Sequence, residues 1–235
     1  MDTEELKRQA AERAVDFMGS GIVVGLGHGS TTIFALRRIA ELLQRAELRD
    51  ILGIPTSTQV EQDARELGIP LTTLGEHPVI DLTIDGADEV DDDLNLIKGG
   101  GGALLREKIV AQASRREIIV VDQTKLSPAL GIQWPLPVEV IPFGWRTQAA
   151  YLESLGAEVT LRCSEDGSPF HTDQGNLILD CDFGSISAPA QLAGHLNERA
   201  GIVEHGLFLG LVSDVIVGTE EGIRHLRKQD VQRRT

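Results

Sequence analysis

The stretch Ile22-Val23-Val24-Gly25-Leu26-Gly27-His28-Gly29-Ser30-Thr31-Thr32 decides the fold. A short apolar run reads as a buried strand. A glycine-rich turn follows it. A helix begins near Ser30, with Ile33, Leu36, Ile39, Ala40 and Leu43 on one face. Working outward, the same grammar repeats. Residues 50–54 read as a strand and residues 60–67 as a helix stopped by Gly68. Residues 71–74 and 79–84 read as further strands, 104–113 as a helix and 117–121 as a strand. Alternation of this kind predicts an α/β fold with a parallel sheet covered by helices on both faces.

The grammar changes after Lys125. Pro135, Pro137 and Pro142 surround residues 138–141, which read as a strand at an edge or a domain crossing. A helix over 145–155, strands over 158–162 and 176–182, and a helix over 190–199 suggest a smaller α+β unit. Residues 214–218 then return to the earlier style as a strand, and the spacing over 221–228 predicts a helix. The expected division is 1–130 plus 208–235 for the first domain and 131–207 for the smaller one.

Composition removes several function classes. With 22 Lys and Arg against 36 Asp and Glu, the formal net charge is −14. That argues against a nucleic-acid partner, since phosphate backbones need clustered cations. The one dense basic stretch, residues 224–234, is broken by Asp230. No apolar run approaches the roughly 20 residues that cross a bilayer, so no membrane role is expected. The start of the chain is acidic and polar, unlike a signal or transit peptide. Cys163 and Cys181 form no metal spacing, and a reducing cytoplasm is the default.

Three segments carry candidate chemistry. Gly25 to Thr32 can expose amide groups and hydroxyls at a helix start, a site suited to a phosphate. A tight turn capped by Ser30 or Thr31 accounts for the same residues, and both readings stay open. The loop is not a dinucleotide fingerprint: Ser30 stands where the third glycine belongs, and no acidic residue closes the second strand. A Walker A ending is missing too. Next, Asp85-Gly86-Ala87-Asp88 follows an apolar run, so its carboxylates stand at a strand's carboxyl end, where open α/β sheets bind ligands. Their spacing does not fit a calcium loop. Last, Lys98-Gly99-Gly100-Gly101-Gly102 precedes a helix. Four glycines cost chain entropy, and close backbone approach to a ligand is the expected reason. Lys98 can offset charge developing there. Glu107 either faces that ligand or pairs with Arg106 or Lys108 in solvent.

Taken together, Gly-x-Gly-x-Gly-Ser-Thr, Asp-Gly-Ala-Asp-Glu, Lys-Gly-Gly-Gly-x-Ala-Leu-x-Arg-Glu-Lys, Asp-x-x-Lys and Pro-Leu-Pro-Val-Glu-Val resemble ribose-5-phosphate isomerase of the A type. The resemblance runs in order over about residues 21–222. It implies a Rossmann-like domain carrying a smaller α+β domain, usually as a homodimer or dimer of dimers. It implies a cytoplasmic enzyme of the non-oxidative pentose phosphate branch. That enzyme interconverts ribose 5-phosphate and ribulose 5-phosphate through an enediolate, with no cofactor and no metal. On this sequence the general base falls on Glu107. Asp85 and Asp88 fall on the carboxylates that hold substrate hydroxyls, with Asp85 also assisting ring opening. Lys98 and the amides of Gly99, Gly100 and Gly101 fall on the groups that stabilise the charged oxygen. Gly86 and Ala87 belong to the same substrate loop, and Lys125 falls on a substrate-binding lysine. His28, Gly29, Ser30 and Thr31 fall on the Gly-Ser-Thr loop, where His28 replaces the usual Thr. An imidazole there can bond a substrate oxygen or crowd the loop. Two other classes remain: a CoA-transferase-like enzyme with a nucleophilic glutamate, and a sugar-phosphate sensor without turnover.

Overall fold

The computed structural model describes residues 2–228, so positions 229–234 of the basic stretch lie outside the described residues. In chain order the first elements are α1 (Thr3–Val15), β1 (Val23–Leu26), α2 (Thr32–Gln44), β2 (Leu52–Pro55), α3 (Thr58–Glu66) and β3 (Leu82–Asp85). Then come β4 (Glu89–Val90), β5 (Leu96–Ile97), α4 (Leu104–Ala113), β6 (Glu117–Asp122), β7 (Leu136–Val140) and α5 (Trp145–Ser154). The last are β8 (Glu158–Leu161), β9 (Leu177–Asp182), α6 (Pro189–Asn197), β10 (Ile202–His205), β11 (Leu207–Phe208), β12 (Asp214–Thr219) and β13 (Gly222–Arg227).

The chain forms two compact units. The first comprises the chain up to Ala87, Arg106–Lys125 and the chain from Leu211 on. Its sheet has the order β13-β12-β6-β3-β1-β2, parallel except for β13. All six residues of β6 are buried, as befits a central parallel strand apolar on both faces. Val24 and Leu26 of β1 join a core with Ala10, Ala14, Leu36 and Ile39 from α1 and α2. Val23 points the other way and packs with Ile54, Ile80 and Val110, the last from α4. Helices therefore cover both faces, which makes this an α/β sheet.

The second unit comprises Asp88–Leu105 and Leu126–Gly210. It holds a four-stranded antiparallel sheet, β10-β7-β9-β8, and a three-stranded one, β11-β5-β4. Its core gathers Val138, Val140, Leu152, Leu177, Leu179 and Leu196. Residues 88–105 fall here, whereas the sequence pattern places them with the first domain. Their short strand β5 pairs with β4 on one side and with β11 on the other, and the second contact links positions more than a hundred residues apart.

Three elements differ from the sequence-based expectation. Residues 222–227 form a strand, not a helix. Gly222, at φ 122°, closes a tight hairpin with Thr219 and turns the chain back along β12. Residues 71–74 form no strand; Leu71 makes one isolated bridge to Gly53. Finally, β7 is central, between β10 and β9, although it contains Pro137. The Pro137 carbonyl accepts from Gly206 N–H at 2.8 Å, so its hydrogen-free nitrogen faces the same side, where the ladder to β10 ends. Two residues further along this strand, buried Glu139 accepts hydrogen bonds from Thr172 and Asn176, both at 2.9 Å. Burial pushes its carboxyl above the usual range despite those bonds, and Glu204 and Asp173 add to the rise.

Candidate active site

In the first unit, three loops leave the carboxyl ends of parallel strands at one edge of the sheet. After β1 comes the glycine turn. Gly27 N–H donates to the Ile84 carbonyl at 2.9 Å, and a Cβ on Gly27 would collide with Asp85. Only glycine allows this approach. The approach lets Asp85, at the end of β3 and 1% exposed, accept the main-chain N–H of His28 at 3.0 Å through Oδ1. The same oxygen accepts Gly86 N–H at 2.7 Å. The His28 ring is half-buried, with Nδ1 2.9 Å from Ser57 Oγ at the start of α3. It lines a cavity of about 250 Å³ together with Gly29, Ser30, Thr32, Gln59 and Asp63.

The hydroxyls of this loop do not cap α2. Thr31 occupies the N-cap position with no side-chain cap, and Thr32 donates back to the Gly29 carbonyl at 2.9 Å. Ser30 Oγ accepts from Lys7 of α1 at 2.9 Å. The capping reading therefore fails, and the turn combines a lysine with a helix start, an arrangement that favours an anion. After β6, Asp122 accepts the Thr124 N–H at 2.9 Å and shapes the 3-10 turn Gln123–Lys125, where Lys125 is half-buried. Glu107 stands in the first turn of α4, which leads the chain to the start of β6. It is 4% exposed, so its carboxylate does not face solvent.

In the second unit the structure brings together Asp88, Lys98 and the glycine run. Asp88 N–H donates to the Ile97 carbonyl at 2.9 Å, and its Oδ2 accepts Gly100 N–H at 2.7 Å. Lys98 is 2% exposed; its N–H donates to the Gly206 carbonyl, and Nζ lies 5.6 Å from the centroid of the Phe208 ring. Much of the glycine run answers to protein neighbours rather than a ligand. A Cβ at Gly99 would strike Leu104, one at Gly100 would strike Asp88, and one at Gly102 would strike Phe170. The Gly100 amide holds Asp88, which leaves that group engaged within the protein.

Sequence reasoning misses Lys7, Ser57 and Arg162. The last donates through Nη1 to the carbonyls of Gly99 and Gly100 at 2.7 and 3.0 Å. No local signal marks any of the three, because each partner lies 23 to 63 residues away.

Comparisons with known proteins agree with one another. Residues 52–222 match the family model for ribose 5-phosphate isomerase A (phosphoriboisomerase A). A ribose-5-phosphate isomerase A from Chloroflexus aurantiacus is 58% identical over 228 residues, 97% of this chain and 95% of that protein. One from Desulfatibacillum aliphaticivorans is 56% identical over 95% of this chain and 97% of that protein. Among solved structures, a D-ribose-5-phosphate isomerase in complex with phospho-erythronic acid superposes with a TM-score of 0.95 at 41% identity, covering 97% of this chain and 100% of that one. The ribose 5-phosphate isomerase A of Methanocaldococcus jannaschii gives 0.92 at 39% identity, covering 97% and 100%.

Proposed function

The chain belongs to the ribose 5-phosphate isomerase A family, and from that premise we infer that it is an aldose–ketose isomerase interconverting ribose 5-phosphate and ribulose 5-phosphate. The observation that carries this reading is the family match over 52–222, a span that takes in Asp85, Asp88, Lys98, Glu107 and Lys125. Its place is the non-oxidative branch of the pentose phosphate pathway.

The reaction moves one proton from C2 to C1 and a second from the C2 hydroxyl to the C1 carbonyl oxygen. Glu107 is the base: its carboxylate removes the proton from C2 of the open-chain aldose and returns it to C1. A buried carboxylate suits that task because water does not compete for the proton. The enediolate between the two transfers carries charge on oxygen. Lys98, a cation withdrawn from water, and the amide of Gly101 are the donors that stabilise it. Asp85 and Asp88 hold the substrate hydroxyls, and Asp85 assists ring opening. Ser30, Lys7, Lys125 and the amides at the start of α2 receive the phosphate, a role supported by the Lys7–Ser30 contact and the uncapped helix start. His28, Gly29, Thr31, Gly86 and Ala87 complete the substrate contacts. The route requires neither metal nor cofactor.

The protein acts in the cytoplasm as a homodimer or dimer of dimers. Two unpaired cysteines, Cys163 and Cys181, suit a reducing compartment. Ile141 and the 89% exposed Phe143, in the turn between β7 and α5, suit a protein interface. No described helix is long and apolar enough to cross a membrane. The decisive experiment is a coupled assay for ribulose 5-phosphate formed from ribose 5-phosphate in excess chelator. Turnover there supports the reading; its absence at saturating substrate, with folded protein, ends it.

A further inference from the structure

The glycine run is the most flexible backbone in the chain by composition, yet the donors asked of it must stand in one orientation. Glycines visit a wide range of φ and ψ, so something outside the run must hold its peptide planes. Within the second unit that holder is visible. Arg162 extends the β8 pairing, its N–H bonding the Ile178 carbonyl at 2.9 Å. Its guanidinium is gripped by Asp180 of β9 through Nε at 2.9 Å and Nη2 at 2.5 Å. That two-point grip fixes the plane of the fork. Nη1 then reaches the carbonyl oxygens of Gly99 and Gly100 together. The Arg162 and Asp180 side chains are only 14% and 22% exposed, so solvent competes weakly with these bonds.

The consequence follows from peptide geometry. Among the described residues no peptide bond is cis. A trans peptide sets its C=O and N–H on opposite sides of the chain. With the Gly99 carbonyl turned to Arg162, the Gly100 N–H must point away from it, and there it meets Asp88 Oδ2 at 2.7 Å. With the Gly100 carbonyl also turned to Arg162, the Gly101 N–H must point away in the same manner. Gly101 is exposed. A cation behind the two carbonyls also polarises both peptide groups and makes their N–H ends better donors.

We propose that Arg162, clamped by Asp180, is a positioning residue for the isomerisation: it locks the Gly99–Gly101 peptides so that the Gly101 amide and the Asp88 carboxylate are presented to the substrate. This rests on the reading that the glycine run and Asp88 serve the isomerase site. Arg162 itself touches no reacting atom. Its removal should lower the fit to the charged intermediate more than the fit to the ground-state sugar.

The test uses the whole enzyme with two substitutions, Arg162→Met and Asp180→Asn, and four readouts: kcat, KM, inhibition by phospho-erythronic acid, and inhibition by inorganic phosphate. Phospho-erythronic acid carries a carboxylate whose charge resembles that of the enediolate; inorganic phosphate probes the phosphate end alone. Arg162→Met should lose about 10²-fold in kcat, the scale set by a displaced oxyanion donor, with KM moving far less. Phospho-erythronic acid should weaken in step with kcat/KM while inorganic phosphate stays unchanged. Asp180→Asn should move the same quantities in the same direction, by about tenfold. If Arg162→Met loses its circular dichroism spectrum, Asp180→Asn decides alone. Retention of kcat within about twofold in the folded variants would overturn the proposal. So would a loss confined to KM with both inhibitors weakened alike, the signature of a merely loosened fold. A wild-type enzyme without isomerase activity would sink the functional reading first, and this proposal with it.

Discussion

The proposed base, Glu107, is a carboxylate in the first turn of α4, only 4% exposed. Glu107→Gln keeps the size and removes the base. Steady-state kinetics should show kcat lower by about 10²–10⁴-fold with KM little changed; near-wild-type turnover would remove Glu107 from the mechanism. At this scale legibility is uneven. The residues that punctuate the chain can be read, because glycines set between an apolar run and an amphipathic one leave the backbone little choice but to turn. Their partners cannot. Lys7 meets Ser30 across 23 residues, His28 meets Ser57 across 29, and Arg162 meets Gly99 across 63. Such contacts are products of packing, and no spacing rule encodes them. The glycine run does mark a close approach, but at Gly99, Gly100 and Gly102 the approaching atoms belong to Leu104, Asp88 and Phe170.

At the scale of elements, helices with a long apolar stripe are legible and short strands are not. The helix expected from Ile33, Leu36, Ile39 and Ala40 coincides with α2, where Leu36, Ile39 and Ala40 are buried. By contrast, β4, β5 and β11 have two residues each, too few for any periodicity. The helix expected over 221–228 is instead a strand, because the hairpin at Gly222 turns the chain back along β12. The buried acid of β7 yields a prediction of its own. A carboxyl whose folded pKa is raised holds its proton more tightly in the folded state. The stability it confers is full below the unfolded value, near 4.3, and is lost as pH rises through the folded value. Glu139→Gln keeps an oxygen for Thr172 and Asn176 but does not titrate. Its Tm relative to wild type should therefore climb between pH 5 and pH 8, as read by thermal melts. A difference that stays flat across that range would contradict the assignment.

For the whole molecule, the two-part organisation is legible because proline-rich, irregular sequence interrupts a repeating strand–helix grammar. What escapes a linear reading is how often the chain passes from one compact unit to the other: after Ala87, Leu105, Lys125 and Gly210. A fragment spanning 126–210 looks like a domain on paper, yet β11 within it pairs with β5 at Leu96–Ile97, which lies outside it. That fragment made alone should give a poorly dispersed NMR spectrum, and a well-dispersed one would show that the missing strand is dispensable. The weaving also limits how such genes can be shuffled. An exchange between two diverged relatives with a breakpoint between positions 97 and 207 would marry the β5 of one parent to the β11 of the other. Breakpoints before residue 88 or after residue 210 leave that pair intact, so viable chimaeras should cluster there.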